Sequence, residues 1–217
     1  EAGEEIRFFV ANRAHHADIG GITPGSMPAD STSLAQEGIV IDDFLIVSAG
    51  EFREEALRTL LLSGDHPARS PDVNIADLKA QLAANEAGAR ELEGLVARYG
   101  WPVIRCYTGH VMANAEESVR RVLDRIADGS FTYEMDDGAV LQVSIQVDHD
   151  TRSTTIDFTG TSAQREGNFN APPAITNAAI LYVFRCLIGE NIPLNEGCLR
   201  PLNIIIPHGS FLSPEPG

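Results

Sequence analysis

Basic residues are scarce in this chain. Sixteen Lys and Arg stand against 31 Asp and Glu, giving a net charge of −15 and a pI near 4.7, a field that repels nucleic acid and anionic membrane surfaces. Neither partner is expected. Cysteine is scarcer still: Cys106, Cys186 and Cys198 are odd in number, far apart and form no C-x-x-C pair. That excludes a disulfide framework or zinc ribbon and points to reduced cytoplasmic thiols, with Cys198 read as inert rather than nucleophilic. Long apolar runs are missing, since the longest, Ala178 to Phe184, is too short to cross a bilayer. No P-loop, dinucleotide fingerprint or G-x-S-x-G element occurs around Ser26, Ser210 or elsewhere, so any nucleotide is expected on another domain or subunit. An initiator Met is also lacking. Gly3 and Glu4 read as the exit of a hairpin and Pro214 to Gly217 as an interrupted loop, so the chain is expected to be a fragment.

Apolar residues make up 43% of 217, enough for one large domain or two small ones. Ile6 to Ala11 (IRFFVA) and Gly38 to Val47 (GIVIDDFLIV) read as strands, and Glu51 to Leu62 as a helix closed by Gly64. From Leu78 to Tyr99 an apolar seam steps by alternating four and three, broken only by Asn85. Gly100-Trp101-Pro102 ends that helix and starts another, whose seam Ile104, Tyr107, Val111, Asn114, Ser118, Val122 and Ile126 is broken by Asn114. A helical hairpin over 74–126 follows, with Asn85 and Asn114 expected to face each other at similar heights. After Ser130 the period becomes two, predicting an antiparallel β-meander over 130–160, with Asp137-Gly138 as a hairpin turn rather than a calcium loop. An apolar helix, Ile175 to Ile188, and a strand, Leu202 to Ile206, complete an α+β fold of antiparallel strands, a long helical hairpin and a further buried helix.

The chemistry concentrates near the start. NRAHHADIGGITPGSMP places His15, His16 and Asp18 between an apolar segment and a glycine-rich turn. Imidazole and carboxylate bind divalent ions or move protons near neutral pH, and a turn of five Gly and Pro in nine residues can bring bare N–H groups to an anion. An extended backbone puts His16 and Asp18 on one face; a turning one pairs His15 with Asp18. The alternative for the turn is a structural Ω-type loop. Asn168 and Asn170, in EGNFNAPPAITNA, offer paired amides or local caps, and Arg200 is a cation ahead of the last strand.

FFVANRAHHADIGGITPGSMP, NIADLKAQLAANEAGARELEGLVARYG, GNFNAPPAIT and LYVFRCLIGENIPLNEGCLRPLNIIIPHGS together resemble the hydantoinase B/oxoprolinase family, end to end over 1–217. Within it, the likeness is greatest to the C-terminal, B-type half of the ATP-dependent oxoprolinases. The resemblance implies a cyclic amide hydrolase in which an A-type ATPase domain or subunit activates the ring and the B part opens it, converting 5-oxo-L-proline to L-glutamate in glutathione metabolism. A hydantoin or N-methylhydantoin hydrolase B subunit, and a non-catalytic scaffold for the A-type partner, are the alternatives. It further implies a divalent metal ion on His15, His16 and Asp18, with a His-x-x-Asp element upstream, so that the fragment alone is inactive. ATP would be used by the partner, and the assembly would be oligomeric. Arg13, Asn168, Asn170 and Arg200 are carried as substrate-binding candidates, because a carboxylate-bearing lactam needs a cationic clamp and amide donors.

Overall fold

A computed structural model describes residues 6–215. The expected exit of a hairpin at Gly3 and Glu4 therefore lies outside the described residues. The chain divides into two compact units, the first running to Trp101 and the second starting at Pro102. Helices and strands are mixed throughout, as the periodicities require.

The first unit holds α1 (Leu34–Glu37), the two-residue strands β1 (Val47–Ser48) and β2 (Glu51–Phe52), α2 (Glu54–Leu61) and α3 (Pro71–Tyr99). Leu57 and Leu61 of α2 pack with Ala68, Ile75 and Leu78 in a small core, flanked by Ile19, Ile41, Phe44 and Ile46. Two expected strands are corrected. Ile6–Ala11 is not a strand, because a ladder needs a partner backbone and the segment instead lies along α3. Phe8 meets Trp101 edge-on with centroids 5.4 Å apart, and Val10 approaches Gly88 so closely that a Cβ there would sit 3.0 Å from its methyl. Gly38–Val47 is likewise irregular. Asp43 takes φ +41°, which interrupts the extended run, and only Val47–Ser48 pairs with Glu51–Phe52 around Ala49 and Gly50.

In α3 most of the predicted seam is sheltered: Leu82, Asn85, Ala89, Leu92 and Val96 are half-buried, together with Gln81 and Gly88, while Tyr99 is exposed. Asn85 Oδ1 accepts from Asn12 Nδ2 at 2.7 Å, so this polar break serves the N-terminal segment. Gly100, at φ +81°, ends the helix and its N–H bonds Val96 O.

The second unit begins with α4 (Trp101–Leu123), followed by β3 (Gly129–Glu134), β4 (Val140–Asp148), β5 (Ser153–Asp157), α5 (Pro173–Ile188), a 3-10 turn at Glu196–Leu199 and β6 (Leu202–Ile205). The sheet order is β3-β4-β5-β6, the first three antiparallel as the meander predicts. The last strand departs from that pattern. β6 joins β5 in parallel, with Ile156 opposite Ile204, because α5 carries the chain back across the sheet before it re-enters. The buried face of α4 is Ala115, Ser118, Val119 and Val122, so Tyr107, Val111 and Asn114 of the predicted seam are exposed. One face of α5 is buried, through Thr176, Ile180 and Phe184, while Tyr182, Val183 and Leu187 face out. Cys198 is buried in this core and behaves as a small apolar side chain.

Candidate functional site

Residues 13–18 form neither helix nor strand and bend at Ala17; Arg13, Ala14 and His15 are exposed while His16 and Asp18 are sheltered, each with a 14% exposed side chain. Of the two histidines it is His16 that is sheltered together with Asp18. Both are met by the start of α3. Asn74 and Asp77, three apart on one helical face, reach back: Asn74 Nδ2 donates to Asp18 O at 2.8 Å, and Asp77 Oδ2 lies 3.4 Å from His16 Nδ1. That ring nitrogen is buried and makes no hydrogen bond, so the pair is close in charge but imperfectly directed.

Asp18 is held far more completely. Its Oδ1 accepts from Gly20 N–H (3.0 Å) and Arg69 N–H (3.2 Å), and its Oδ2 from Gly25 N–H (3.0 Å) and Arg69 Nη1 (2.8 Å). Burial pushes the carboxyl up, but the three backbone donors and the guanidinium outweigh it and hold the pKa at about 2. Arg69 also donates to Thr23 O and Gly21 O, and Ser26 Oγ to Gly20 O. The glycine turn thus cradles an anion, and that anion is its own Asp18. Two further donors of the turn are engaged as well, Gly21 N–H on His66 O and Ile22 N–H on Gln36 O, which is how a structural Ω-type loop is held. Glycine is required at position 20, where φ is +94° and a Cβ would strike His66 O.

Three buried side-chain atoms lack a partner among the described residues: His16 Nδ1, Thr23 Oγ1 and Asn74 Oδ1. All belong to this loop and helix start. Unpaired buried polar atoms are rare and gather where a protein binds or reacts.

The other candidates lie in the second unit. Asn170 is occupied locally, its Oδ1 accepting from Arg165 N–H (3.0 Å) and its Nδ2 donating to Arg165 O (2.9 Å) and Gly167 O (3.0 Å). These are the bonds of the local-cap alternative, in which Asn170 braces its own loop. Asn168 is exposed on the same loop. Arg200 borders an open cavity of about 490 Å³ with Asn177, Glu196, Leu202 and Ile204, and is steadied by Glu116 Oε2 at 3.3 Å. Arg120, burial and Arg200 act on Glu116 in that order, and the two guanidinium groups together keep its carboxyl below the usual range.

Residues 1–217 match the hydantoinase B/oxoprolinase family along their whole length. The chain belongs to that family. It is 44% identical to the 5-oxoprolinase of Saccharomyces cerevisiae over 98% of its length and 42% identical to 5-oxoprolinase 1 of Arabidopsis thaliana over 97%, covering 18% and 19% of those proteins. It therefore spans about a fifth of the curated relatives it matches. The fold is that of part of the ATP-dependent caprolactamase of Pseudomonas jessenii, with a TM-score of 0.73 at 23% identity over 93% of this chain and 35% of the caprolactamase.

For this hydantoinase B/oxoprolinase chain, the expected metal set meets a chemical obstacle. A carboxylate offers about four lone-pair sites, and Asp18 has four donors on them. Nor do three or more His, Cys, Asp or Glu side chains gather as ligands among the described residues. His15, His16 and Asp18 as a trio do not fit a divalent ion. Arg69, Asn74 and Asp77 are the residues that sequence reasoning missed. One signal was available: Asn74 occupies the α3 seam one step before Leu78, where an apolar residue is the default.

Proposed function

We propose that this chain is part of the B-type module of an ATP-dependent cyclic amide hydrolase that opens 5-oxo-L-proline to L-glutamate, with an A-type ATPase domain or subunit activating the ring. The observation that carries the reading is the 42–44% identity to proteins named 5-oxoprolinase across at least 97% of the chain. A lactam carbonyl is a poor electrophile. Phosphorylation of its oxygen by ATP activates the ring carbon. One water adds there and the ring C–N bond breaks to leave an acyl phosphate and the amine, and a second water hydrolyses the acyl phosphate to carboxylate and phosphate.

In this scheme His16 is the group suited to the water. With Nδ1 turned to the Asp77 carboxylate, the ring proton belongs on Nδ1 and the Nε2 lone pair is left to accept a proton. Taken separately, Arg200 borders a cavity lined by second-unit residues and carries the kind of guanidinium that a ring carboxylate requires. The test is glutamate release by the full-length protein, with its partner, supplied with ATP and 5-oxo-L-proline. Turnover of hydantoin without oxoproline would move the assignment to the hydantoinase branch, and turnover of neither would refute it.

A further inference from the structure

Glu196 and Arg200 are four positions apart, of opposite charge, and not joined. Both border the cavity of about 490 Å³ in the second unit. Yet Arg200 pairs with Glu116, and Glu196 has no ion pair or hydrogen bond among the described residues. The backbone accounts for this. On an α-helix two such residues meet on one face, but Glu196–Leu199 is a 3-10 turn, whose three residues per turn set positions four apart about a third of a turn from each other. The tight winding is itself held in place: Asn195 Oδ1 accepts from Gly197 N–H at 2.9 Å, and Gly197 lies so close to α4 that a Cβ would collide with Met112 O.

Arg200 keeps capacity for a ligand. Two of its five N–H groups are engaged, one on Glu116 Oε2 (3.3 Å) and one weakly on Met112 Sδ (4.0 Å), and Glu116 gives its other oxygen to Arg120 at 2.7 Å. Asn177 of α5 adds a side-chain amide with no partner among the described residues, and the half-buried Leu202, Ile204 and Ile206 add an apolar wall. A cation and an anion held apart beside an apolar wall suit a molecule that carries both charges. We propose that this cavity seats a zwitterionic amino acid, the ring-opened product class, with its α-carboxylate on Arg200, its ammonium on Glu196 and its second carboxylate on the Asn177 amide. A lactam acid shares only the Arg200 contact in full, because its ring nitrogen is an uncharged amide, whereas ring opening frees an amine that is protonated at neutral pH. Glu196 thus separates product from substrate.

The inference rests on the proposed function for the identity of the product. Its test needs no turnover: the full-length protein, without ATP, is titrated calorimetrically with L-glutamate and with glutarate, which has the two carboxylates and lacks the ammonium. Wild type is expected to prefer L-glutamate, and Glu196→Gln should reduce that preference by about 10-fold, the scale of one charge-assisted hydrogen bond at a half-open site. Arg200→Ala should weaken both ligands, and the Tm of Glu196→Gln should stay at the wild-type value, since Glu196 holds nothing in the fold. Equal weakening of L-glutamate and glutarate by Glu196→Gln, or no binding of L-glutamate at millimolar concentration, would overturn the assignment. Failure of the wild type to open 5-oxo-L-proline would sink the function reading alone; L-glutamate binding that depends on Glu196 and Arg200 would still uphold the site, and its absence would refute it.

Discussion

Replacing Asp18 by Asn changes one atom and tests whether this carboxylate locks the glycine loop. The amide keeps the size of the carboxylate but offers a single acceptor oxygen, so whichever way it turns, two of the four donors from Gly20, Gly25 and Arg69 face an NH₂ group. Each buried donor left unpaired costs about 1–3 kcal/mol, and loss of a charge-assisted bond to Arg69 lies at the upper end. The site is partly sheltered, with Asp18 14% and Arg69 39% exposed, which brings the expected total to about 2–4 kcal/mol. Acid should dissect the same energy. A carboxyl near 2 when folded against 3.8 unfolded contributes stability that is fully present above about pH 4 and disappears as pH falls through 2. A shift of that size is worth about 2 kcal/mol, and about 1 kcal/mol after solvent screening. Urea unfolding from pH 5 to pH 2 should show this slope in the wild type and lose it in Asp18→Asn, while amide exchange at Gly20 and Gly25 accelerates. A variant within 0.5 kcal/mol of wild type (about the scatter of surface substitutions), with unchanged exchange at both glycines, would refute the lock.

Three further outcomes are expected. Gly20→Ala combines an unfavourable φ of +94° with a backbone collision at His66 and should cost about 2 kcal/mol or more in chemical unfolding, whereas Gly94→Ala, inside α3 with nothing within 4 Å, should stabilise by about 0.5–1 kcal/mol. Phe184→Ala removes a 5% exposed ring from the core of the second unit and should cost about 3–5 kcal/mol, read from the urea midpoint at constant m. Arg200→Ala should raise KM for 5-oxo-L-proline by about 10-fold or more with a smaller change in kcat, Lys recovering only part; an unchanged KM would remove Arg200 from the substrate site.

The elements whose evidence is local were legible in the sequence. The α3 seam, the Gly100 stop and the meander turn at Asp137-Gly138 follow from side-chain period and from residues that accept positive φ, and each needs no distant partner. What failed depended on a partner. IRFFVA has every property of a strand except a neighbouring backbone to pair with, and it lies on a helix instead. Leu202–Ile205 was legible as a strand but not as a parallel one, since direction is set by where α5 returns the chain. The motif at His15–Asp18 was found for its residue types and misread in its wiring. The sequence left either histidine free to pair with Asp18, and nothing local reveals that Arg69 and Asp77, more than fifty positions away, would claim Asp18 and His16 separately.

That separation bears on where the substrate's own charge can be met. A glycine loop with free N–H groups would be the natural seat for a carboxylate or a phosphorylated ring oxygen, but here Gly20, Gly21, Ile22 and Gly25 already donate to protein acceptors. A net charge of −15 further disfavours any anion not met by a dedicated cation. Among the candidates, Arg200 retains an exposed guanidinium at a cavity, at 47%, whereas Arg69 is consumed by the loop. The glycine loop of the N-terminal unit is thus already occupied by its own Asp18. A cavity beside the half-exposed guanidinium of Arg200 is then where a substrate carboxylate is expected to be met, and loss of Arg200 is expected to act on KM rather than kcat.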